Sequence, residues 1–216
     1  MGEMINLPGG IPAYLSGSDG PGVVMLQEWW GLNTQMQGLA DRLAAEGFRV
    51  LVPDLFRGRV TQDADEANHM MNGLDWMGAT KGDVNAAAAY LAQGGGKVGV
   101  TGFCMGGALT ILSSVHLDNI DAAVCFYGIP PKEAADPSQI KVPFQGHFAT
   151  LDSWCSPAAV AALQADLAQS SAPSELHSYE GCDHAFMNEK RPEVYNADAA
   201  AQAWQRMVSF FGSNLA

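Results

Sequence analysis

Basic residues are scarce in this sequence of 216 residues: Lys and Arg number 11, Asp and Glu number 23, and the net charge at pH 7 is −12. Such a surface repels phosphate backbones and anionic lipid headgroups, which argues against nucleic acid and membranes as partners. No run approaches the roughly 18 apolar residues of a membrane span. The first ten residues also lack the basic and apolar segments of a secretory signal.

Cysteine is sparse and scattered. The four cysteines are Cys104, Cys125, Cys155 and Cys182, and no two of them form a C-x-x-C motif. This spacing is typical neither of a zinc site nor of a disulfide framework, so we expect no bound metal. Free thiols and the missing signal segment together favour a reduced, cytoplasmic protein.

Short apolar runs alternate with helical segments along the chain. This alternation predicts a single α/β domain with a mostly parallel central sheet and helices on both faces. The predicted strands cover residues 23–27, 49–52, 98–101, 122–127, 142–148 and 175–179. The predicted helices cover residues 33–46, 81–93, 105–115, 157–169 and 195–211. Residues 57–80 are the least regular part and are predicted to form a lid or a broken helix.

The most informative motif is the segment GFCMGG at 102–107, which follows a predicted strand and opens a predicted helix. It matches the nucleophile elbow, G-x-nucleophile-x-G, with Cys104 in the place usually held by serine. Glycines at 102 and 106 leave room for a strained turn, and the start of the helix favours the thiolate form of the cysteine. The alternative is a structural cysteine buried in a close-packed turn.

A nucleophile needs a base and a group that orients the base, and two later loops supply candidates. His184 follows a predicted strand, and Asp152 follows the strand at 142–148. The order Cys104, Asp152, His184 is the nucleophile–acid–base order of the α/β-hydrolase fold. All three follow the carboxyl ends of parallel strands, where such sheets build their sites. Asp183 is a rival acid, but its position next to His184 in sequence makes a loop or cap role more natural.

Acyl transfer also requires donors for the developing oxyanion. The backbone N–H of Met105, directly after the nucleophile, and that of Trp29, after the first buried strand, are the candidates. Glu28 is unusual because it directly follows a strand that is predicted to be buried. It is either a capping or salt-bridged acid, or a carboxylate that faces the Cys104 thiol.

These segments together resemble the dienelactone hydrolase family of α/β-hydrolases, over nearly the whole chain. The matching segments are QEWWGLN (27–33), VPDL (52–55), GFCMGG (102–107), GHFA (146–149) leading to Asp152, HAF (184–186) and RPEVY (191–195). The resemblance implies a Cys104–Asp152–His184 triad and oxyanion donors at Trp29 and Met105. It also implies that Glu28 partners the thiol at rest and helps to activate it when substrate binds. No metal or organic cofactor is implied.

The residues expected to contact substrate depart from the family pattern. Members that act on dienelactone hold the substrate carboxylate with arginines, and one of these stands four residues after the histidine, where this chain has Asn188. Arg57 and Arg59 lie near the position of the family's other substrate-binding arginine. Arg191 either replaces one of these arginines or is a surface charge at a helix start. Candidate pocket residues, each with a core role as the alternative, are Trp29, Trp30, Phe56 and Trp154.

We therefore expect a cysteine-dependent hydrolase of lactones or carboxylic esters that forms an acyl-enzyme on Cys104. Its partner would be a small-molecule ester or lactone, and the protein would be a monomer or homodimer. Three alternatives stay open: an esterase that also attacks phosphate esters, a non-catalytic binding protein on the same fold, and a thiol redox protein that uses Cys104. The glycine-rich segment 94–99 precedes a strand instead of following one, so it does not predict a dinucleotide site.

Overall fold

The computed structural model describes all 216 residues and is built around one eight-stranded sheet. The strands are β1 (Glu3–Leu7), β2 (Ile11–Ser16), β3 (Gly22–Leu26), β4 (Arg49–Pro53), β5 (Val98–Phe103), β6 (Ala122–Phe126), β7 (Phe144–Ala149) and β8 (Ser174–Tyr179). Their order across the sheet is β1-β2-β4-β3-β5-β6-β7-β8. β2 pairs antiparallel with β1 and β4, and all the other neighbours are parallel.

Helices cover both faces of this sheet. They are α1 (Thr34–Ala45), α2 (Ala64–Asn72), α3 (Trp76–Gly78), α4 (Asn85–Ala92), α5 (Met105–His116), α6 (Pro157–Leu167) and α7 (Ala197–Asn214). Buried apolar side chains of α4, α5 and α6 form one core cluster, and those of α1 and α7 form the other. The predicted single α/β domain with a mostly parallel sheet is thus confirmed. None of these helices is both long enough and apolar enough to cross a lipid bilayer.

Capping side chains fix where the helices begin near the carboxyl edge of the sheet. The side chain of Asn33 accepts the backbone N–H groups of Gln35 and Met36 and starts α1. Ser156 caps α6, whose first residue is Pro157, a residue that suits the first helical turn because its missing N–H would have no acceptor there. The loops that carry Glu28 and Asp152 therefore end at defined positions.

Two parts of the chain differ from the prediction or refine it. The antiparallel strands β1 and β2 are absent from the prediction, because β1 is an exposed edge strand without a continuous apolar run and Pro12 interrupts β2. Residues 57–80 contain α2 and α3, and a π-helical turn at Ala79–Val84 joins α3 to α4. The predicted broken helix in this region is confirmed.

Candidate active site

Cys104 occupies a strained turn between β5 and α5. Its backbone has φ 56° and ψ −114°, a conformation that residues with a side chain seldom adopt. Two hydrogen bonds hold it there: the Cys104 N–H donates to the carbonyl of Phe126 at 3.1 Å, and the Ala108 N–H donates to the Cys104 carbonyl at 3.1 Å. Strain that is held in this way is typical of a functional site.

Gly106 explains why the motif needs a glycine after the nucleophile. A Cβ atom at this position would overlap the carbonyl oxygen of Leu26, at the end of β3. The first turn of α5 therefore packs directly against the β3 backbone. This close approach brings the loop that begins with Glu28 and Trp29 next to Cys104.

His184 and Asp152 form a hydrogen-bonded pair beside Cys104. The Nδ1 of His184 lies 2.7 Å from Oδ2 of Asp152. The other carboxylate oxygen of Asp152 accepts the backbone N–H groups of Trp154 at 2.7 Å and Cys155 at 3.0 Å. Burial raises the pKa of Asp152, but the hydrogen bonds and the charge of His184 outweigh burial and hold this pKa below its usual value. The carboxylate is thus ionised and fixed in orientation.

The second ring nitrogen of His184, Nε2, is buried without a hydrogen-bond partner. Burial lowers the pKa of His184, but the Asp152 carboxylate and the Cys104 thiol raise it to about 10. The ring lies 5.1 Å from that of Tyr127 and 5.9 Å from that of Trp154, measured between ring centroids. Asp183 is exposed and accepts only the backbone N–H of His184, so it does not compete with Asp152 for the imidazole.

Glu28 is held by two side chains instead of by the thiol. Its carboxylate accepts the Tyr127 hydroxyl at 3.2 Å and the Asn188 side-chain N–H at 2.7 Å. Neither oxygen hydrogen-bonds with Cys104, which corrects the expected contact between Glu28 and the resting thiol. Burial raises the pKa of Glu28, and hydrogen bonds from Asn188 and Tyr127 and the charge of His184 offset only part of this increase.

Tyr127 is the site residue that the sequence analysis missed. It directly follows β6, is buried, and has a positive φ of 37°. Its position after a parallel strand, next to Gly128, is the signal that was available in the sequence. Asn188 is also buried and commits its amide to Glu28, so its predicted contact with substrate is replaced by a contact within the protein.

The two expected oxyanion donors are free. The Trp29 N–H lies outside every helix and strand and donates to no protein acceptor. The Met105 N–H is the first of α5, and the first N–H groups of a helix have no acceptor within that helix. Both N–H groups are therefore available to a substrate oxygen.

Two cavities meet at Cys104, and His184 and Trp154 also line both. The polar cavity, of about 270 Å³, is lined in addition by Glu28, Trp29, Trp30, Ser153, Asp183 and Arg191. The apolar cavity, of about 510 Å³, is lined by hydrophobic residues that include Met71, Trp76, Ala108, Leu112, Ile129 and Ala134. Of the predicted pocket residues, the structure thus brings Trp29, Trp30, Trp154 and Arg191 to Cys104.

Three predicted substrate contacts lie elsewhere. Phe56 is buried in the core cluster under α4 and α5. Arg57 pairs with Asp83 at 2.7 Å, and Arg59 lies 3.5 Å from Glu66. None of the three lines the polar or the apolar cavity. The predicted substrate contacts of Phe56, Arg57 and Arg59 are therefore corrected: one residue packs in the core and the other two form ion pairs outside the site.

The model of the dienelactone hydrolase family matches residues 11–215. The chain belongs to the dienelactone hydrolase family. Protein usf from Aquifex pyrophilus is 35% identical over 202 residues, which cover 89% of this chain and 87% of that protein. A candidate carboxymethylenebutenolidase from Aquifex aeolicus is 30% identical over 206 residues, covering 91% and 89% of the two chains.

Solved structures show the same architecture. The crystal structure of a candidate dienelactone hydrolase from Klebsiella pneumoniae has a TM-score of 0.88 and 26% identity, and covers 98% of both chains. That of P91, a dienelactone hydrolase-like promiscuous phosphotriesterase from metagenomic libraries, has a TM-score of 0.87 and 23% identity, and covers 100% of this chain and 99% of P91. Family and relatives together identify this dienelactone hydrolase family member as a hydrolase of esters or lactones.

The structure groups no three His, Cys, Asp or Glu side chains as metal ligands. All four cysteines are free thiols. The polar groups that the proposed chemistry uses at this site are the Cys104–His184–Asp152 cluster, the carboxylate of Glu28 and the two free N–H groups.

Proposed function

We propose that the protein hydrolyses carboxylic esters or lactones through an acyl-enzyme on Cys104. The observation that carries this proposal is the arrangement around His184. One ring nitrogen is fixed by an ionised Asp152 at 2.7 Å, and the other is buried without a hydrogen-bond partner. Cys104 lines the same cavity as this ring and raises its pKa. A base in this position takes the proton of the thiol, and the oriented imidazolium that forms is stabilised by the carboxylate.

The acylation step uses groups that the site already holds. The Cys104 sulfur attacks the carbonyl carbon, and the C=O pair moves onto oxygen to give a tetrahedral oxyanion. The N–H groups of Trp29 and Met105 donate to that oxyanion, and the loss of one such donor costs roughly 3–4 kcal/mol in activation free energy. When the C–O bond breaks, His184 returns its proton to the departing alkoxide, and the acyl group stays on sulfur as a thioester.

Deacylation repeats these roles with water. His184 accepts a proton from a water molecule, the hydroxide attacks the thioester carbonyl, and the same two N–H groups hold the second oxyanion. Collapse of this intermediate breaks the C–S bond, and the sulfur recovers the proton from His184. Over both steps one ester and one water give one alcohol and one carboxylic acid, and the free enzyme is restored with its thiol and neutral imidazole, so atoms and charge balance.

Glu28 supports this cycle through charge. It is buried, and burial raises its pKa, but the attraction between its carboxylate and the His184 imidazolium offsets part of that increase. In the proposed mechanism, Glu28 therefore adds to the stabilisation of the imidazolium by Asp152. Tyr127 and Asn188 hold the carboxylate in that place.

The test is to trap the acyl-enzyme. Wild type, Cys104→Ala and Cys104→Ser are mixed with p-nitrophenyl acetate, and the intact masses of the proteins are measured by mass spectrometry after a rapid acid quench. We expect an added acetyl group on wild type, located at Cys104 by peptide mapping, and loss of turnover in Cys104→Ala. Cys182→Ala is the matched control, because this cysteine is free and buried and lines neither cavity. Undiminished turnover in Cys104→Ala would exclude the proposed nucleophile.

A second candidate activity is attack on phosphate triesters. P91 has the same fold at a TM-score of 0.87. The two free N–H donors beside the Cys104 sulfur can stabilise a phosphoryl oxygen as well as a carbonyl oxygen while the sulfur attacks. Incubation with paraoxon separates the outcomes. Continuous release of p-nitrophenol beyond one equivalent, absent in Cys104→Ala, supports turnover, whereas release that stops at one equivalent shows inhibition.

A further inference from the structure

We propose that the apolar cavity is an acyl subsite, and that the protein prefers esters with an uncharged alkyl or aryl acyl group. This inference rests on the proposed function, because the acyl group must end on Cys104. Cys104, Met105 and His184 all line the cavity, so a group that occupies it is held at the reacting sulfur. The cavity is therefore continuous with the proposed chemistry.

The lining of the cavity defines the chemistry of its occupant. Eleven of its 15 lining residues are hydrophobic, and no carboxylate, lysine or arginine is among them. Side chains from α2, α3 and α5 and the segment after β6 converge there, including Met71, Trp76, Leu112 and Ile129. The one lining side chain that can carry a positive charge, His184, is already paired with Asp152. A charged acyl group in the rest of the cavity would lose its hydration without gaining a partner, so the cavity selects against substrate carboxylates.

The size of the cavity suits more than an acetyl group. Its volume of about 510 Å³ lies within the range of roughly 300–1,000 Å³ that is usual for small-molecule sites. An acetyl methyl would leave most of this space unfilled. A chain of several methylenes or an aromatic ring would bury apolar surface there.

The polar cavity is the better exit for the alcohol and the better entrance for water. Glu28, Ser153, Asp183 and Arg191 line it, and Arg191 is the only arginine or lysine that lines either cavity. Water must reach the thioester carbonyl from the side that the alcohol has left. The acyl group therefore belongs in the apolar cavity, because there it leaves the path for water open.

Ala134 offers a variant that fills the apolar cavity from a position outside the fully buried core. It is half-buried, and its backbone is fixed by its N–H donating to Pro131 at 2.9 Å and by its carbonyl 2.7 Å from His116 Nε2. Ala134→Phe places a ring in the cavity. Ala162→Phe makes the same change on the exposed face of α6 and is the matched control. Ile129→Ala enlarges the cavity and gives a second, independent variant.

The experiment measures kcat/KM for p-nitrophenyl acetate, butyrate, hexanoate and octanoate, and for ethyl, butyl and hexyl butyrate. For wild type and Ala162→Phe we expect kcat/KM to rise about two- to fourfold per acyl methylene until the cavity is filled, since each buried methylene contributes roughly 0.8 kcal/mol. The length of the alcohol chain should matter less. Ala134→Phe should remove the gain for long chains, and Ile129→Ala should move the optimum to longer chains.

Three results would overturn the acyl subsite: a flat acyl-chain profile in wild type, equal profiles for Ala134→Phe and Ala162→Phe in folded protein, or a stronger dependence on the alcohol chain than on the acyl chain. In each of these cases turnover still depends on Cys104, so the proposed function survives. Turnover that persists in Cys104→Ala would instead remove the proposed function and the subsite with it.

Discussion

His184 and Asp152 are 32 positions apart in the chain, yet Nδ1 of the one lies 2.7 Å from Oδ2 of the other. The contact forms because β7 and β8 are parallel neighbours, so the loops that leave their carboxyl ends lie side by side. Asp152 is almost completely buried, and the backbone N–H groups of Trp154 and Cys155 hold its other oxygen. The imidazole is thus oriented by a carboxylate that cannot rotate freely.

Asp152→Asn should lower kcat/KM by about 10²–10⁴-fold. The amide has nearly the same shape, but it cannot stabilise the imidazolium and it favours the wrong tautomer of His184. Asp118→Asn is the matched control, because Asp118 is exposed and lines neither cavity. We expect the control to stay within about threefold of wild type, in steady-state assays with p-nitrophenyl butyrate. Equal losses in the two variants would contradict the assignment of Asp152.

Protein stability should fall as pH rises through the titration of His184. Burial lowers the pKa of His184, but Asp152 and Cys104 raise it to about 10, against 6.5 for the unperturbed imidazole. Between these values the folded state binds one proton more than the unfolded state, so the free energy of unfolding decreases with pH. The contribution is fully present below about pH 6.5 and is lost as pH approaches 10.

Urea denaturation of wild type and His184→Gln at pH 6, 7, 8 and 9 measures this linkage. The decrease of the unfolding free energy with pH should be steeper in wild type, because His184→Gln lacks the titrating group. Cys104→Ala should show an intermediate slope, since it removes one of the two groups that raise the pKa of His184. Parallel curves for wild type and His184→Gln would contradict the raised pKa.

Much of the site follows from one rule applied to the sequence. Cys104, Asp152 and His184 each lie within five residues after the end of a parallel strand, and the carboxyl ends of parallel strands meet at one edge. The contact of Glu28 with Tyr127 and Asn188 does not follow from any such rule. It joins residues 99 and 160 positions apart and depends on side-chain directions in three loops, which neither spacing nor hydrophobic pattern encodes.

The same distinction holds for the fold. Buried strands such as β3 and β6 are continuous apolar runs, so they are recognisable in the sequence. The edge strand β1 pairs with β2 and buries only Leu7 completely, so its exposed, partly polar residues carry little hydrophobic signal. The ion pairs of Arg57 and Arg59 could not be predicted for another reason. Their partners, Asp83 and Glu66, lie in the π-helical turn and in α2, and the packing of these helices brings each carboxylate to its arginine.

Glu28→Gln should lower activity while leaving the fold intact. The substitution removes the negative charge that stabilises the His184 imidazolium. We expect kcat/KM to fall about tenfold, which corresponds to a loss of about 1.4 kcal/mol in transition-state stabilisation. Burial raises the pKa of Glu28, so the ionised carboxylate is a cost to folding at neutral pH. The melting temperature of Glu28→Gln should therefore stay within a few degrees of wild type.

The comparison for Glu28 is Tyr127→Phe, which keeps the charge and removes one hydrogen bond of 3.2 Å. We expect this variant to lose less activity than Glu28→Gln, because the charge acts on His184 directly and the hydroxyl only holds the carboxylate. Measurements of kcat and KM with p-nitrophenyl butyrate and of the melting temperature test both variants. A larger loss in Tyr127→Phe would assign the main role to the hydroxyl.

Gly106→Ala should destabilise the protein although it lies in a helix, where alanine is normally preferred by about 1 kcal/mol. A Cβ at this position would overlap the backbone carbonyl of Leu26, and backbone cannot move aside as a flexible side chain can. Overpacking of this kind costs about 1–3 kcal/mol, and the same displacement moves the Trp29 loop away from Met105. Gly212→Ala in α7 is the matched control, because nothing lies within 4 Å of its new Cβ. Urea denaturation should show a loss for Gly106→Ala and a small gain for Gly212→Ala, and equal stabilities would contradict the close contact between α5 and β3.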